Sequence, residues 1–553
     1  MGLARLGQGV FGRSETARPV TIAGLLFASL LLLAPPAEAT TSATRHLAGG
    51  VERTTYMVGP IDVTSGQNRI AYKPITGSEK PSESGWITRI KPNLVRADGS
   101  IPLSSKVMFH HGVWLNLSRT DATADIPERF YATGEEKTNL ELPDGYGYRY
   151  EKSDVWILNH MIHNLTPEPM TLYVTYTIDF IPDSAPEAAS IEPGRPIWMD
   201  VENYDVYPVF DVWRGSGGSD DKFVYPDDAK NPYPDGVQKN EWTVDRDGVL
   251  IGTVGHVHTG GLATDLYLER ERAKYRGPNC GKYRKKKSGW SKERKKKQKR
   301  KLRNCRKNRP NVKGGKAHLF KSTAHYYEPG GPISWDVAMV GTKPNWRVGV
   351  KEGDTLSMTT TYETKRASWP ESMGIMIAYM ADGEGRNPYR EKVDYKGVVN
   401  HGHYAENNDR GGKKPVVGPD PRDLPDGLTG GGPFGISGFT YGAGDFRLPG
   451  TLKRPPVIEQ GEQFTFQLSE GDASRQIWHS LTSCKAPCNK STGIAYPIPD
   501  GEFQFDSGQL GDVTPAVLTR TWKTPKNLPV GTHTYFCRIH PLMRGAIRVV
   551  KKK

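Results

Sequence analysis

The sequence predicts an all-β protein built from three sandwich domains in series, and three observations carry that prediction. Helical periodicity is sparse along the 553 residues. Segments that alternate apolar and polar residues recur instead, among them "KVMFHHGVWLNL", "MTLYVTYTIDFIP" and "DTLSMTTTYET". Gly (61) and Pro (42) punctuate them, as turns between short strands require. A chain of this length holds about three to five domains of ordinary size.

The elements follow in order. At the N-terminus Arg5, Arg13 and Arg18 precede the apolar run "VTIAGLLFASLLLLA", and "AEA" at 37–39 is a small-x-small cleavage site. Residues 1–39 therefore read as a secretory signal peptide cut before Thr40, and the mature protein is expected to be secreted. The run is short for a bilayer span, which disfavours an uncleaved anchor. No other stretch reads as transmembrane, so no stable membrane insertion is expected after cleavage. Residues 40–200 carry alternating segments separated by turns and read as an antiparallel sandwich. Residues 201–385 read as a second sandwich, interrupted at 270–316 by a basic insert. Residues 386–440, with "GPDPRDLPDGLTGGGPFG", read as a Gly/Pro-rich linker. From 441 to 553 strands resume at the size of one small Greek-key domain.

The formal net charge is +14, but residues 282–316 hold 19 Lys or Arg and one Glu, so the rest of the chain sums to −4. The high isoelectric point describes the insert, and a nucleic-acid reading based on it alone would mislead. Like charges at this density are expected to keep the insert extended and solvated, or to dock it on polyanions. A disulfide between Cys280 and Cys305 would limit its excursions.

The stretch "THTYFCRIHPLMRGAIRVV" (532–550) places Cys537, His540 and Met543 at spacings of three and three after a strand-like run. Thiolate, imidazole and thioether are soft donors that suit copper in both its oxidation states. His479, in "QIWHSLTSC", is placed to add a second imidazole. This region resembles the cupredoxins over about 110 residues, and the resemblance implies one type 1 (blue) copper held by His479, Cys537, His540 and Met543. A structural zinc site is the weaker alternative, because Met is a poor zinc ligand. Cys484 and Cys488 would then form a clip near His479 and leave Cys537 free for metal. Phe536 and Arg538 flank Cys537, so the His-Cys-His motif of multicopper oxidases is absent, and the site reads as an electron carrier.

Further histidines lie upstream. In "TVGHVHTGG", His256 and His258 share one face of a strand and can reach one ion. His110 and His111, in "MFHHGVW", would point to opposite faces unless the strand ends or bulges there. "LNHMIHN" adds His160 and His163. Singly each is weak, since a lone histidine in a sandwich is more often structural. Their order, followed by Met373 in "GDTLSMTTTYETKRASWPESMGIMIAYM", resembles the copper type II, ascorbate-dependent monooxygenases over residues 90–385. These include peptidylglycine α-hydroxylating monooxygenase and dopamine β-monooxygenase. The resemblance implies two jelly-roll domains facing each other across a solvent-filled cleft and holding two type 2 copper ions. His110, His111 and His163 (alternatively His160) would hold the electron-storing copper. His256, His258 and Met373 would hold the catalytic copper, which binds oxygen and attacks a C–H bond. Ascorbate or another reductant would supply electrons.

The departures also count. Where that family clamps a substrate carboxylate, this chain has Val254, Ile375 and Ile377, which points away from peptide amidation toward a less charged substrate. His401 and His403, in "NHGHYAENND", read as structural or supporting residues ahead of a further metal site. Two function classes follow: a secreted copper monooxygenase acting on a small molecule, with a fused blue-copper electron relay, or a non-catalytic extracellular copper-binding or electron-carrier protein.

Overall fold

The computed structural model describes residues 43–552, apart from 68–69, 105, 203–207, 219, 272–279, 281–288, 328–330, 334–335, 366–367, 404–417, 476, 490–503, 512, 515–516, 519 and 541. The segment read as a signal peptide and part of the basic insert lie outside the described residues. Strands dominate what is described, and they form three sandwiches, as expected.

In the first sandwich a seven-stranded sheet, centred on Glu52–Val63, Met170–Pro182 and Gly85–Val95, faces a four-stranded one. The latter runs in the order Ile70–Ile75, Trp156–Asn164, Val107–Thr120, Pro127–Gly134. Phe109, Trp114, Trp156 and Ile162 fill the space between them. A bulge interrupts the pairing of Val107–Thr120 with Trp156–Asn164: Phe109 pairs with Ile162 and His111 with Met161, so His110 is the extra residue. That bulge lets two adjacent histidines escape strict alternation.

The second sandwich is one thirteen-stranded sheet folded into two layers around a core that includes Met199, Leu250, Leu266, Met358, Met376 and Met380. Its strand Trp369–Ala381 turns Met376, Ala378 and Met380 into that core. The alternate residues Met373, Ile375, Ile377 and Tyr379 pack on the first sandwich. The two pack directly on each other along part of this face. Arg129 of the first sandwich and Asp200 of the second meet at 3.6 Å with both side chains fully buried, and the Arg129 guanidinium lies over Trp198. Tyr379 donates a 2.6 Å hydrogen bond to the Phe130 carbonyl. Direct packing around Arg129 and Tyr379 fills part of the cleft that the monooxygenase resemblance implied.

The third sandwich has a three-stranded sheet, Phe434–Ile436, Thr465–Leu468, Thr521–Lys523, and a four-stranded sheet, Val457–Glu459, Arg544–Val550, Gly531–Phe536, Thr482–Cys484. It sits on both other sandwiches. Asp506 accepts a 2.6 Å bond from the Ser368 amide, and Arg538 lies over the Trp369 ring. Gly66, with φ of +61°, lets the first sandwich approach so closely that a Cβ there would fall 2.3 Å from the Phe439 ring.

Two expectations need correction. Residues 386–440 are not simply a linker: Tyr389 and Val393 join the second core, and Phe434–Ile436 is a strand of the third sandwich. Nor is the whole insert extended. Lys292–Lys307 is an α-helix whose N-cap Ser291 accepts from the Arg294 amide. Lys and Arg are good helix formers, and the cations of the last turn suit the helix C-terminus. Cys280–Cys305 and Cys484–Cys488 are disulfides, and Cys537 is free and buried.

Candidate metal centres

Cys537 follows the strand Gly531–Phe536, and the loop to Met543 folds back so that the Cys537 amide donates to the Met543 carbonyl. His540 and, from the segment just before the strand Thr482–Cys484, His479 meet it. Cys537 Sγ, His479 Nδ1 and His540 Nδ1 form a triangle with edges of 3.2, 3.7 and 4.0 Å. Trigonal ligands at about 2.0–2.3 Å from an ion would leave edges of roughly 3.5–3.8 Å, so the donors fit a metal at their centre. All three are buried, as is Met543. The Ser480 and His540 amides donate to Cys537 Sγ. Burial alone would push the thiol up, but the His479 contact and these amides hold it below its ordinary range. His479 turns Nε2 toward Asp472 Oδ2, leaving Nδ1 for the metal. Burial opposes its charged form, yet Asp472 and Cys537 raise its pKa overall. Among the described residues this is the one tight group of three or more His, Cys or carboxylate donors. Two imidazoles, one thiolate and a nearby thioether are the donor set of a blue-copper site.

The upstream histidines converge where the three sandwiches meet. Ring centroids lie 4.3 Å apart for His110 and His258, 5.7 Å for His110 and His163, 5.0 Å for His256 and His258, and 6.3 Å for His110 and His111. The two ligand groups read from the sequence are therefore one cluster, not two sites across a cleft. His110, His163 and His258 border a cavity of about 50 Å³, which Trp369, Glu371, Gln509 and Arg538 also line.

Several rings are fixed from behind. His258 Nδ1 donates to the Glu371 carbonyl, and Glu371 sits at a left-handed φ of +53°. His256 Nδ1 lies 2.8 Å from Glu136 Oε1, and His111 Nε2 lies 2.8 Å from Asn159 Oδ1. Such contacts set which nitrogen faces the cluster. Both ring nitrogens of the buried His163 lack a hydrogen bond among the described residues, which fits a ligand position. His163 shares a strand face with Asn159 and Met161, whereas His160 lies on the opposite face. Met373 follows the register Val257–Gly374 and so borders His258. Its amide donates to the Tyr362 hydroxyl, which donates in turn to the Met373 carbonyl and also accepts from the His258 amide. Tyr362→Phe would orphan these buried groups, and a loss of about 2–4 kcal/mol is expected in urea unfolding. At Gly134 a Cβ would fall 2.6 Å from the His110 carbonyl and 2.8 Å from the His256 ring.

Burial disfavours the charged form of His110, His111, His163 and His258. It pushes His111 and His163 down to about 3, and His110 and His258 well below their ordinary range, with neighbouring imidazoles adding to the effect for the last two. The unfolded chain protonates these groups near pH 6.5. Between about pH 6.5 and 3 only the unfolded state takes up the protons, so stability is full above that window and is lost as pH falls through it. For the metal-free protein at pH 5, His111 and His163 are each expected to remove about 2 kcal/mol. Unfolding at pH 8 and pH 5 checks this, and equal stability at both would contradict it.

The two centres adjoin. His163 and His540 have ring centroids 6.2 Å apart, nearly perpendicular, and Arg538 and Ile539 of the Cys537–His540 loop form part of the cavity wall. A second cavity, of about 280 Å³, lies between the first two sandwiches. Val254 and Ile377 line it, each two residues along its strand, roughly 6.7 Å, from His256 and its partner Ile375. His401 and His403 act at the seam: His401 Nε2 donates to the Glu136 carbonyl, and His403 Nδ1 pairs with Asp336 at 2.6 Å.

The sequence reading missed Glu136, Asn159, Tyr362 and Glu371, because each reaches its histidine through strand pairing or domain contact. No protein-family model matches the chain, and no curated protein matches it. Among solved structures it is similar to the Cu(I) form of an amicyanin point mutant and to a second amicyanin mutant in its reduced state. Each shares 15% identity, covers 25% of this chain and 99% of its own, and has a TM-score of 0.12. It is also similar to the copper-containing nitrite reductase of Thermus scotoductus SA-01, at 12% identity, 56% of this chain, 59% of that chain and a TM-score of 0.14.

Proposed function

We propose that the protein is an exported copper oxidoreductase in which a blue-copper domain exchanges electrons with a copper centre held by the interdomain histidines. The observation that carries this reading is the 6.2 Å approach of His540 to His163 inside a buried junction. His479, Cys537, His540 and Met543 would hold one type 1 ion. His110, His111, His163, His256 and His258, with Met373 beside them, would hold up to two type 2 ions. Copper there supplies one-electron chemistry and, with a position left open, dioxygen binding. The chain itself fixes the rings through Asn159, Glu136 and Glu371, excludes water by burial, and leaves only a small cavity beside His110, His163 and His258. Ascorbate or another small reductant would feed the blue site.

In its finer form the proposal is a monooxygenase that hydroxylates a C–H bond. The 280 Å³ cavity near His256 supports it, because it has room for a small substrate, with Val254 and Ile377 on one side and Glu141, Asp144 and Lys343 also lining it. The rival reading, a carrier without an organic substrate, draws on the 50 Å³ cavity, which admits little beyond a molecule the size of dioxygen or water. Oxygen uptake with ascorbate, measured with and without small uncharged organic compounds, separates them. A monooxygenase consumes oxygen in step with hydroxylated product. No uptake under any condition would leave the carrier.

A further inference from the structure

We propose that the basic helix and the groove at its foot form a docking surface for an anionic polysaccharide. The helix Lys292–Lys307 carries eleven Lys or Arg and one Glu, is about 24 Å long, and has no buried residue. Its charge is one-sided. At 3.6 residues per turn, eight of the eleven cations fall within an arc of about 140°, with Lys295, Lys299, Arg303 and Arg306 along it. Gln298, Leu302 and Cys305, spaced four and three apart, are the half-buried residues, and they form a separate inward stripe. A disulfide ties Cys305, in the last turn of the helix, to Cys280.

Three residues beyond the helix, Pro310–Lys313 form one wall of a groove of about 510 Å³. Its floor is a sheet face on which Ser357, Tyr267 and His318 pair side by side, with Thr359 next to Asp265. The His318 ring is stacked between Tyr267 and Tyr395, and its Nε2 lies 2.8 Å from Asp265 Oδ1. Lys321 also holds Asp265, at 2.7 Å. Asp227 stands at the rim, exposed.

These features select among polyanions. A membrane surface would call for an apolar helix face, and Leu302, the single large apolar side chain here, lies on the inward stripe. Duplex DNA brings phosphates for the helix but no sugar hydroxyl donors for Asp227. A polysaccharide of charged sugars offers both parts: anionic groups for the helix, and hydroxyls and ring faces for Asp227, Asn311, Thr359 and Tyr267.

The test measures binding of the full-length mature chain to polygalacturonate, to duplex DNA and to phosphatidylglycerol vesicles over a salt series. Polygalacturonate is expected to bind most tightly at equal salt, with log affinity falling linearly against log salt. Replacing Lys295, Lys299, Arg303 and Arg306 together by Gln should weaken it by about tenfold or more and flatten that slope. Asp227→Ala should weaken polygalacturonate several-fold while leaving DNA binding equal or tighter. All five side chains are exposed, so the fold should tolerate both changes. Tighter binding to DNA or vesicles, or no loss in the fourfold variant, would overturn the proposal.

Discussion

Replacing Cys537 by Ser is expected to erase the blue absorption and to slow oxygen uptake from external reductant by on the order of 100-fold, about 2.7 kcal/mol in barrier. The type 2 copper signal should survive. The reasoning is positional. Cys537 is fully buried, two backbone amides donate to its sulfur, and its loop runs directly to His540, which faces His163. Hydroxyl oxygen cannot replace a thiolate as a soft donor, so the type 1 ion would be lost or converted. If the blue site is the electron port, the interdomain centre should then starve. Undiminished uptake with every reductant would remove the relay from the account and leave the third sandwich as an accessory.

The second large effect is expected at His163. His163→Ala should cost the interdomain centre at least about 100-fold in copper affinity, beyond the 10–100-fold typical of losing only a supporting residue. The blue spectrum should persist, and reoxidation of the reduced blue site by oxygen should slow in parallel. His160→Ala is the matched control. It removes an imidazole of the same strand from the opposite face, so copper content should hold even if the fold loses some stability. Loss of copper in the His160 variant with retention in the His163 variant would reverse the ligand assignment.

Much of this site can be read along the chain, and the reason is local. Cys537, His540 and Met543 lie within seven residues after a strand, so their spacing survives folding unchanged. His256 and His258 are legible because period two puts them on one face. The bulge at His110 is different: the sequence states only that adjacent histidines need one, and the pairing of His111 with Met161 supplies it. What stayed hidden depends on contacts distant in sequence. Glu136 reaches His256 across 120 residues, and Tyr362 ties together the His258 and Met373 backbones through its hydroxyl. Periodicity within one segment carries no trace of either contact. The merging of two expected copper sites into one cluster has the same origin, because it follows from how the first two sandwiches pack. The basic insert misled for another reason: charge repulsion argued for an extended chain, while the Ser291 cap and the helix preference of Lys and Arg prevailed.

One chain is proposed to hold a blue copper and a histidine-bound copper centre in electronic contact. Copper analysis combined with electron paramagnetic resonance on the purified protein tests this. Two or three coppers per chain are expected, one with the blue signature and the remainder type 2, with the type 2 signal lost in His163→Ala. A single copper per chain carrying the blue signature alone would contradict it.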